Sequence, residues 1–211
     1  MIDMHCHILP EVDDGAKSMA EAKKMLSVAK QGGVSTIIAT PHYRGRWTDR
    51  AAQKQAYLAL KPEAEKRGIT LAFGCEFYFA KFEAEEVPTY RERFCLGDSN
   101  RFLFELGTGT TFSEVENWIY ELQRAGLEVI LAHPERNAEI RSSKSVLRRY
   151  LEIGCLMQVS SDALTQSPFS AGRRTANYLI KSGNCDFIAS DAHSVSDYEQ
   201  FIRVMQKHRG A

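Results

Sequence analysis

The sequence predicts an α/β protein built as a closed barrel of seven parallel strands, and three observations lead there. Short apolar runs such as VSTIIA and LEVILA alternate with amphipathic stretches of helical period along the chain. The runs are apolar throughout, as parallel strands buried on both faces are. Six of the seven end directly on a His, Glu or Asp, and in such a barrel the carboxyl ends of the strands converge on the rim that carries active sites. An open doubly wound sheet is the alternative.

The elements follow in order. A first strand over 1–5 reaches His5, with Cys6 and His7 just beyond. Residues 17–31 read as a helix with Ala20, Met25, Leu26 and Val28 among charges, stopped by Gly32-Gly33. A β-branched run over 34–39 leads into Thr40-Pro41-His42. A long helix over about 49–67 stops at Gly68, and the strand over 69–73 ends at Gly74-Cys75-Glu76. After a loop-rich stretch from 77 to 101, the strand 102–104 ends on Glu105. The helix 111–125 sets Val115, Trp118, Ile119 and Leu122 on one face and closes at Gly126. The strand 127–132 ends on His133, and a helix covers 144–153. The strand 155–159 is the exception, leaving through Ser160-Ser161-Asp162. A helix over 170–182, a strand over 186–189 ending in Ser190-Asp191-Ala192-His193, and a helix over 196–208 complete the chain. No internal repeat or second domain is visible, so residues 1–211 read as one domain.

Composition narrows the function. The 211 residues are 44% hydrophobic, enough for a sizeable core. Lys plus Arg number 27, as do Asp plus Glu, so no basic field recommends nucleic acid as a partner. No apolar run approaches the roughly 20 residues that cross a bilayer, and the N-terminus lacks a signal-peptide pattern; a cytoplasmic location without membrane insertion is expected. The five cysteines (Cys6, Cys75, Cys95, Cys155, Cys185) are scattered and form no CxxC pair. Cys95 and Arg101 have the Cys-x5-Arg spacing of thiol phosphatases, but their segment leads into a strand rather than forming a Gly-rich phosphate cradle at a helix.

Each candidate site residue has an ordinary reading alone. A strand-end histidine is usually a surface or satisfied core residue, Asp191 reads as a helix cap, and Asp13-Asp14-Gly15 as a turn. Together they do not. His5 and His7, two residues apart, face one side of a strand, and His42, Glu76, Glu105, His133, Asp191 and His193 join them at strand ends. Five of six histidines are used so, leaving only His208, in the charged last helix, as solvent decoration. Packing has no reason to gather imidazoles and carboxylates on one rim, whereas a metal cluster does.

The motifs HCH (5–7), TPH (40–42), GCE (74–76), the strand-end Glu105, HPER (133–136) and SDAH (190–193) resemble, in order, the signature of the polymerase and histidinol phosphatase (PHP) superfamily. Within it, HCHILPEVDDG with TPH and HPER is similar to the bacterial manganese-dependent protein-tyrosine phosphatases of capsule and exopolysaccharide operons. The resemblance implies a distorted seven-stranded TIM-like (β/α)7 barrel and three divalent ions, manganese foremost with iron or zinc as alternatives. It also implies a substrate, the phosphorylated Tyr-rich segment of a bacterial tyrosine autokinase, and so a role in polysaccharide synthesis. Carried over residue by residue, it assigns His5, His7, Glu76 and Asp191 to a first metal. Glu76 bridges to a second, shared with Glu105 and His133; His42, His193 and Asp14, in preference to Asp13, hold a third. The exit VSSDALTQSPFS departs from the family in being more polar than a glycine-containing stretch, and the 77–101 loop is where specificity can differ.

The expected chemistry is phosphomonoester hydrolysis. Clustered divalent ions lower the pKa of bound water toward neutrality, and hydroxide attacks phosphorus in line without a covalent intermediate. Arg136 is placed to grip two phosphate oxygens; its ordinary reading is a salt bridge to Glu135 or a neighbour. A tyrosine phenol, with a pKa near 10, leaves with modest help, which favours an aryl phosphate. Tyr43, Arg44, Arg46 and Trp47 could dock a phosphotyrosine ring and an acidic peptide, or be a solvated loop. The rivals are a histidinol-phosphate type of small-molecule phosphatase, a metal-dependent nuclease, and a phosphotyrosine-binding module with a degenerate site.

Overall fold

The computed structural model describes residues 1–79 and 94–209. Most of the loop flagged for specificity, and the side chain of His208, lie outside what it describes. Among the described residues, nine strands are all paired in parallel. A three-stranded sheet has the order β1 (Ile2–Cys6), β2 (Thr36–Ala39), β4 (Thr70–Phe73). A six-stranded sheet runs β3 (His42–Tyr43), β5 (Glu76–Tyr78), β6 (Arg101–Glu105), β7 (Glu128–Ala132), β8 (Leu156–Ser160), β9 (Phe187–Ala189).

Two interruptions account for nine strands where the sequence predicts seven. Pro41 has no N–H to extend the β2 ladder, so the chain re-pairs beyond it as β3. The run of β4 breaks likewise at Gly74-Cys75 and resumes as β5, with Gly74 N–H donating to Ala39 O (2.9 Å) and Glu76 N–H to Pro41 O (3.2 Å). Both breaks matter to the site, because the short strands after them begin on His42 and Glu76. The expected single closed ring goes further than these two ladders, although the ends of β1 and β9 do meet. Asp191 N–H donates to His5 O (2.9 Å) and His7 N–H to Ala192 O (3.0 Å).

The helices form where capping and apolar period agree. Ser18 caps α1 (Met19–Gln31) by accepting from Glu21 N–H, and α1 buries Ala22, Met25, Leu26 and Ala29. Asp49 caps α2 (Arg50–Glu65). A Thr111–Glu114 capping box starts α3 (Phe112–Arg124), which buries Phe112, Val115, Ile119 and Leu122; the expected Trp118 is only partly buried against the same cluster. The short α4 (Ala138–Ser142), then α5 (Lys144–Glu152), α6 (Ala171–Lys181) and α7 (Val195–Arg209) complete the set. No helix among the described residues is long and apolar enough to cross a membrane.

Phe102 and Phe104 of β6 face an outer core with Val115, Ile119 and Leu122, whereas Leu103 packs with Ile130, Ala132, Ala189 and Met4. That smaller apolar plug contains the residue two before Glu105 and lies on the same face of β6.

Candidate metal centre

Nine imidazoles and carboxylates meet where the strands end. Their donor atoms fall into three overlapping groups, each with all atoms within 4.8 Å: His5, Glu76, His133, Asp191; His42, Glu76, Glu105; and His7, Asp14, His42, His193. Glu76 and His42 each belong to two. The separations suit shared coordination. His5 Nε2 lies 3.2 Å from His7 Nε2, 3.4 Å from Glu76 Oε2 and 3.3 Å from Asp191 Oδ1. His7 Nε2 lies 3.3 and 3.5 Å from the same two oxygens. Donors about 2.1 Å from one ion stand roughly 3.0–3.4 Å from each other. Glu76 Oε1 contacts His133 Nε2 at 2.7 Å, and Glu105 Oε1 lies 3.8 Å from that nitrogen. Asp14 Oδ1 stands 3.3 Å from His42 Nε2 and 3.4 Å from His193 Nε2.

Glu76 Oε2, Glu105 Oε2, Asp191 Oδ1 and His42 Nδ1 are buried without a well-aligned hydrogen bond, although imidazole nitrogens stand 2.9, 3.7 and 3.3 Å from the three oxygens. Orphaned carboxylate oxygens are costly inside a protein unless a cation satisfies them. The electrostatics agree. Burial works to raise the Glu76 and Asp191 carboxyls, but the surrounding imidazoles, His5 foremost, hold both well below the usual range. Burial and the Glu76 charge push Glu105 upward. Burial opposes imidazolium, yet the Asp14 and Glu76 carboxylates draw His42 up to about 9, and Glu76 does the same to His133. A field that favours protons on buried imidazoles is one that favours metal ions. With nitrogen and oxygen donors and no thiolate, the residues fit manganese, iron or zinc; Cys6 packs on the far side, among the apolar residues of α1 and α7.

The comparisons with known proteins decide the family. The model of the family described as "Capsular polysaccharide synthesis, CpsB/CapC" matches residues 1–207. The chain belongs to the CpsB/CapC family. Tyrosine-protein phosphatase YwqE of Bacillus subtilis is 33% identical over 219 residues, covering 100% of this chain and 86% of the relative. Tyrosine-protein phosphatase CpsB of Streptococcus pneumoniae is 27% identical, over 96% of this chain and 87% of its own. A chain from the crystal structures of YwqE from Bacillus subtilis and CpsB from Streptococcus pneumoniae, described as unique metal-dependent tyrosine phosphatases, superposes with a TM-score of 0.82. It is 31% identical, covering 100% of this chain and 88% of that one. The lactonase Lmo2620 of Listeria monocytogenes, at a TM-score of 0.60 and 12% identity over 98% of this chain and 84% of its own, shares the fold alone.

Local backbone explains how this CpsB/CapC chain aims its site residues. The alternation that turns Ile130 and Ala132 inward would turn His133 outward, but His133 adopts a left-handed φ of 29° and breaks it. Asp191 is also left-handed, at 49°. Such strain costs about 1–3 kcal/mol per residue and concentrates at functional sites. Gly15 is required for a different reason. A Cβ there would stand 2.0 Å from His7 O and 2.6 Å from His7 Cβ, so only glycine lets the Asp13-Asp14 turn close against His7.

That turn separates the two aspartates. Asp13 Oδ2 accepts from His7 Nδ1 (2.8 Å) and from His42 N–H (3.2 Å), and its Oδ1 accepts from Gly15 N–H (2.9 Å). Asp14, with its side chain 60% exposed, reaches His42 and His193 instead. Gln158 Oε1 lies 2.8 Å from His5 Nδ1. Asp13 and Gln158 therefore hold the Nδ1 protons of His7 and His5 and leave Nε2 as the donor on both rings. The sequence reading missed Gln158; its only signal is one amide inside the apolar run CLMQV.

Arg136 makes the ordinary ion pairs with neighbours rather than with Glu135, which is buried and accepts from Ser160 N–H (2.8 Å). Its Nη2 contacts Asp191 Oδ2 at 2.6 Å and Asp162 Oδ1 at 3.2 Å. Partial burial works against the guanidinium charge, but the surrounding carboxylates, led by Asp191, hold it firmly protonated. Asp162 thus lies one guanidinium away from the cluster.

The YRGRW loop divides. Tyr43 is a correction: it is buried, with its ring 5.0 Å from that of Phe77 and 4.5 Å from that of Phe94, so it packs the core rather than meeting a substrate. Arg44 lies 5.8 Å from the Tyr78 ring centroid and Arg46 5.1 Å from that of Trp47, which is 74% exposed. Cys95 is buried and enters a tight turn in which Leu96 N–H donates to Arg101 O (2.9 Å) and Gly97 N–H to Phe73 O (3.0 Å). Those amides are spent on carbonyls, and Arg101 pairs with Glu128, so no phosphate cradle forms there.

Proposed function

We propose that this CpsB/CapC protein is a metal-dependent protein-tyrosine phosphatase acting in capsular polysaccharide synthesis on the phosphorylated Tyr-rich segment of a tyrosine autokinase. The observation that carries the reading is the meeting of nine nitrogen and oxygen donors beside Arg136, in a chain that matches the family model over residues 1–207. Divalent ions, manganese foremost and three in number, would be held by His5, His7, Glu76 and Asp191; by Glu76, Glu105 and His133; and by Asp14, His42 and His193. Such ions, once bound, would lower the pKa of a water toward neutrality and offset the negative charge of the phosphate.

The chain's own residues do the rest. Asp13 and Gln158 fix the tautomers of His7 and His5. Arg136, steadied by Asp191, offers its remaining N–H groups to the phosphate. Burial of His5, Glu76 and His133 keeps bulk water from competing. Tyrosine phenolate leaves without a strong general acid. We read the two ladders, joined where β1 meets the end of β9, as a distorted seven-strand barrel forming one domain over residues 1–211. The free cysteines among the described residues support a reducing, cytoplasmic setting.

The test is phosphate release from a phosphotyrosine peptide and from histidinol phosphate, using chelated protein with manganese restored, beside His5→Ala. Manganese-dependent turnover of the peptide, lost in the variant, is the expected result. Turnover of histidinol phosphate alone would transfer the chain to the small-molecule branch. Peptide turnover that survives both chelation and the loss of His5 would sink the metal mechanism.

A further inference from the structure

The polar exit after β8 is a braced arm rather than a slack loop. Asp162 begins it, in contact with Arg136 at 3.2 Å. Gln166 Nε2 donates to Asp162 Oδ2 (3.3 Å), Ser170 Oγ donates to Gln166 Oε1 (3.1 Å), and Thr165 Oγ1 donates to Asp162 O (2.9 Å). Gln200 of α7 ties Thr165 from one side (2.7 Å), and Arg173 of α6 donates to Gln166 O from the other (2.5 Å). At the tip stands Phe169, 84% exposed. Its N–H donates to Ser167 Oγ (3.4 Å), and its carbonyl accepts from Arg174 (2.7 Å).

A flexible tip would let an aromatic ring fold away from water. Here the backbone that carries the ring is fixed at both its N–H and its carbonyl, and Arg173 and Arg174 follow on the first turn of α6. The arm that carries Phe169 is tied to Arg136 through Asp162, Gln166 and Ser170, so it rises from the same rim as the phosphate grip. We propose that Phe169 is a specificity-determining residue of the phosphatase, docking the polypeptide that flanks the phosphotyrosine, with Arg173 and Arg174 supplying charge complementary to an anionic phosphorylated segment. The inference rests on the tyrosine-phosphatase reading above. It gives the arm a task that a small phosphate ester would not need.

The experiment compares wild type, F169S and F169Y, all loaded with manganese, on a phosphotyrosine peptide with flanking residues and on p-nitrophenyl phosphate. In F169S the ratio of kcat/KM for the peptide to kcat/KM for the small ester should fall about tenfold, as for loss of an aromatic anchor. The fall should come through KM for the peptide, and F169Y should restore it. A ratio unchanged in F169S, or both substrates declining together, would overturn the proposal. So would a dimer that dissociates in F169S by sedimentation, since a second copy of this chain would then be the occupant. Wild type that hydrolyses p-nitrophenyl phosphate but not the peptide would remove the phosphatase reading itself, and the docking proposal with it.

Discussion

The two sides of the centre differ in how firmly they are built. His5, Glu76, His133 and Asp191 are all buried, rest on strands or strained strand ends, and have an amide, Gln158, holding one imidazole from behind. Asp14 and His193 sit on loops at the mouth, and the Asp14 side chain is 60% exposed. Buried donors fixed by packing and outer hydrogen bonds are preorganised for ions, whereas exposed ones must be ordered by the ion they bind. The inner side is therefore expected to hold metal tightly and the outer side to exchange it.

The largest effect that would break this contrast is at its hinge. Glu76 lies within 3.4 Å of His5, His7, His42 and His133. Glu76→Gln removes the charge those imidazoles face, and peptide turnover should drop by about a thousandfold or more, since metal contributions run to several kcal/mol. Metal content measured by mass spectrometry should fall by more than one ion. Loss of a single ion would mean the groups are independent. Next in size, Arg136→Lys leaves the ions in place but replaces a planar fork by a point charge; kcat/KM should fall about a hundredfold with metal content intact.

Gln158→Ala and Asp14→Asn sharpen the contrast directly. Removing an outer partner typically costs 10- to 100-fold in metal affinity, so Gln158→Ala should weaken the tightest ion seen by calorimetry. Asp14→Asn should instead abolish the weakest binding event and leave the tight ones unchanged. The reverse pattern would invert the assignment of firm and loose sides.

Much of this was legible in the sequence because the ligands occupy strand ends, where a polar residue interrupts an apolar run and stands out. Glu76, Glu105 and His133 announce themselves so. The fold was legible to the level of parallel strands and crossing helices, but the breaks at Thr40-Pro41 and Gly74-Cys75 read as strand ends, because a run that re-pairs after two residues has no separate periodicity. Gln158 and Asp13 were harder, since their role depends on which ring nitrogen faces them. Tyr43 failed because alternation past a proline depends on where β3 begins to pair. Its neighbours Arg44 and Trp47 gave no hint that it points inward.

The smallest effect concerns protons. In the metal-free protein, His42 and His133 are raised to about 9 by Asp14 and Glu76, so both carry protons at neutral pH. As folded values above the unfolded value of about 6.5, they stabilise the chelated protein fully below pH 6.5. That contribution is lost as pH rises through about 9. Metal binding must displace the same protons. Apparent affinity should therefore climb with pH between about 7 and 9, by about tenfold per unit for each proton released, and level off above that. Calorimetry in buffers of different ionisation enthalpy counts those protons. Release of none at pH 7.5 would mean the imidazoles are neutral before metal arrives, and that the anionic field of Glu76 and Asp14 is screened by water rather than waiting for a cation.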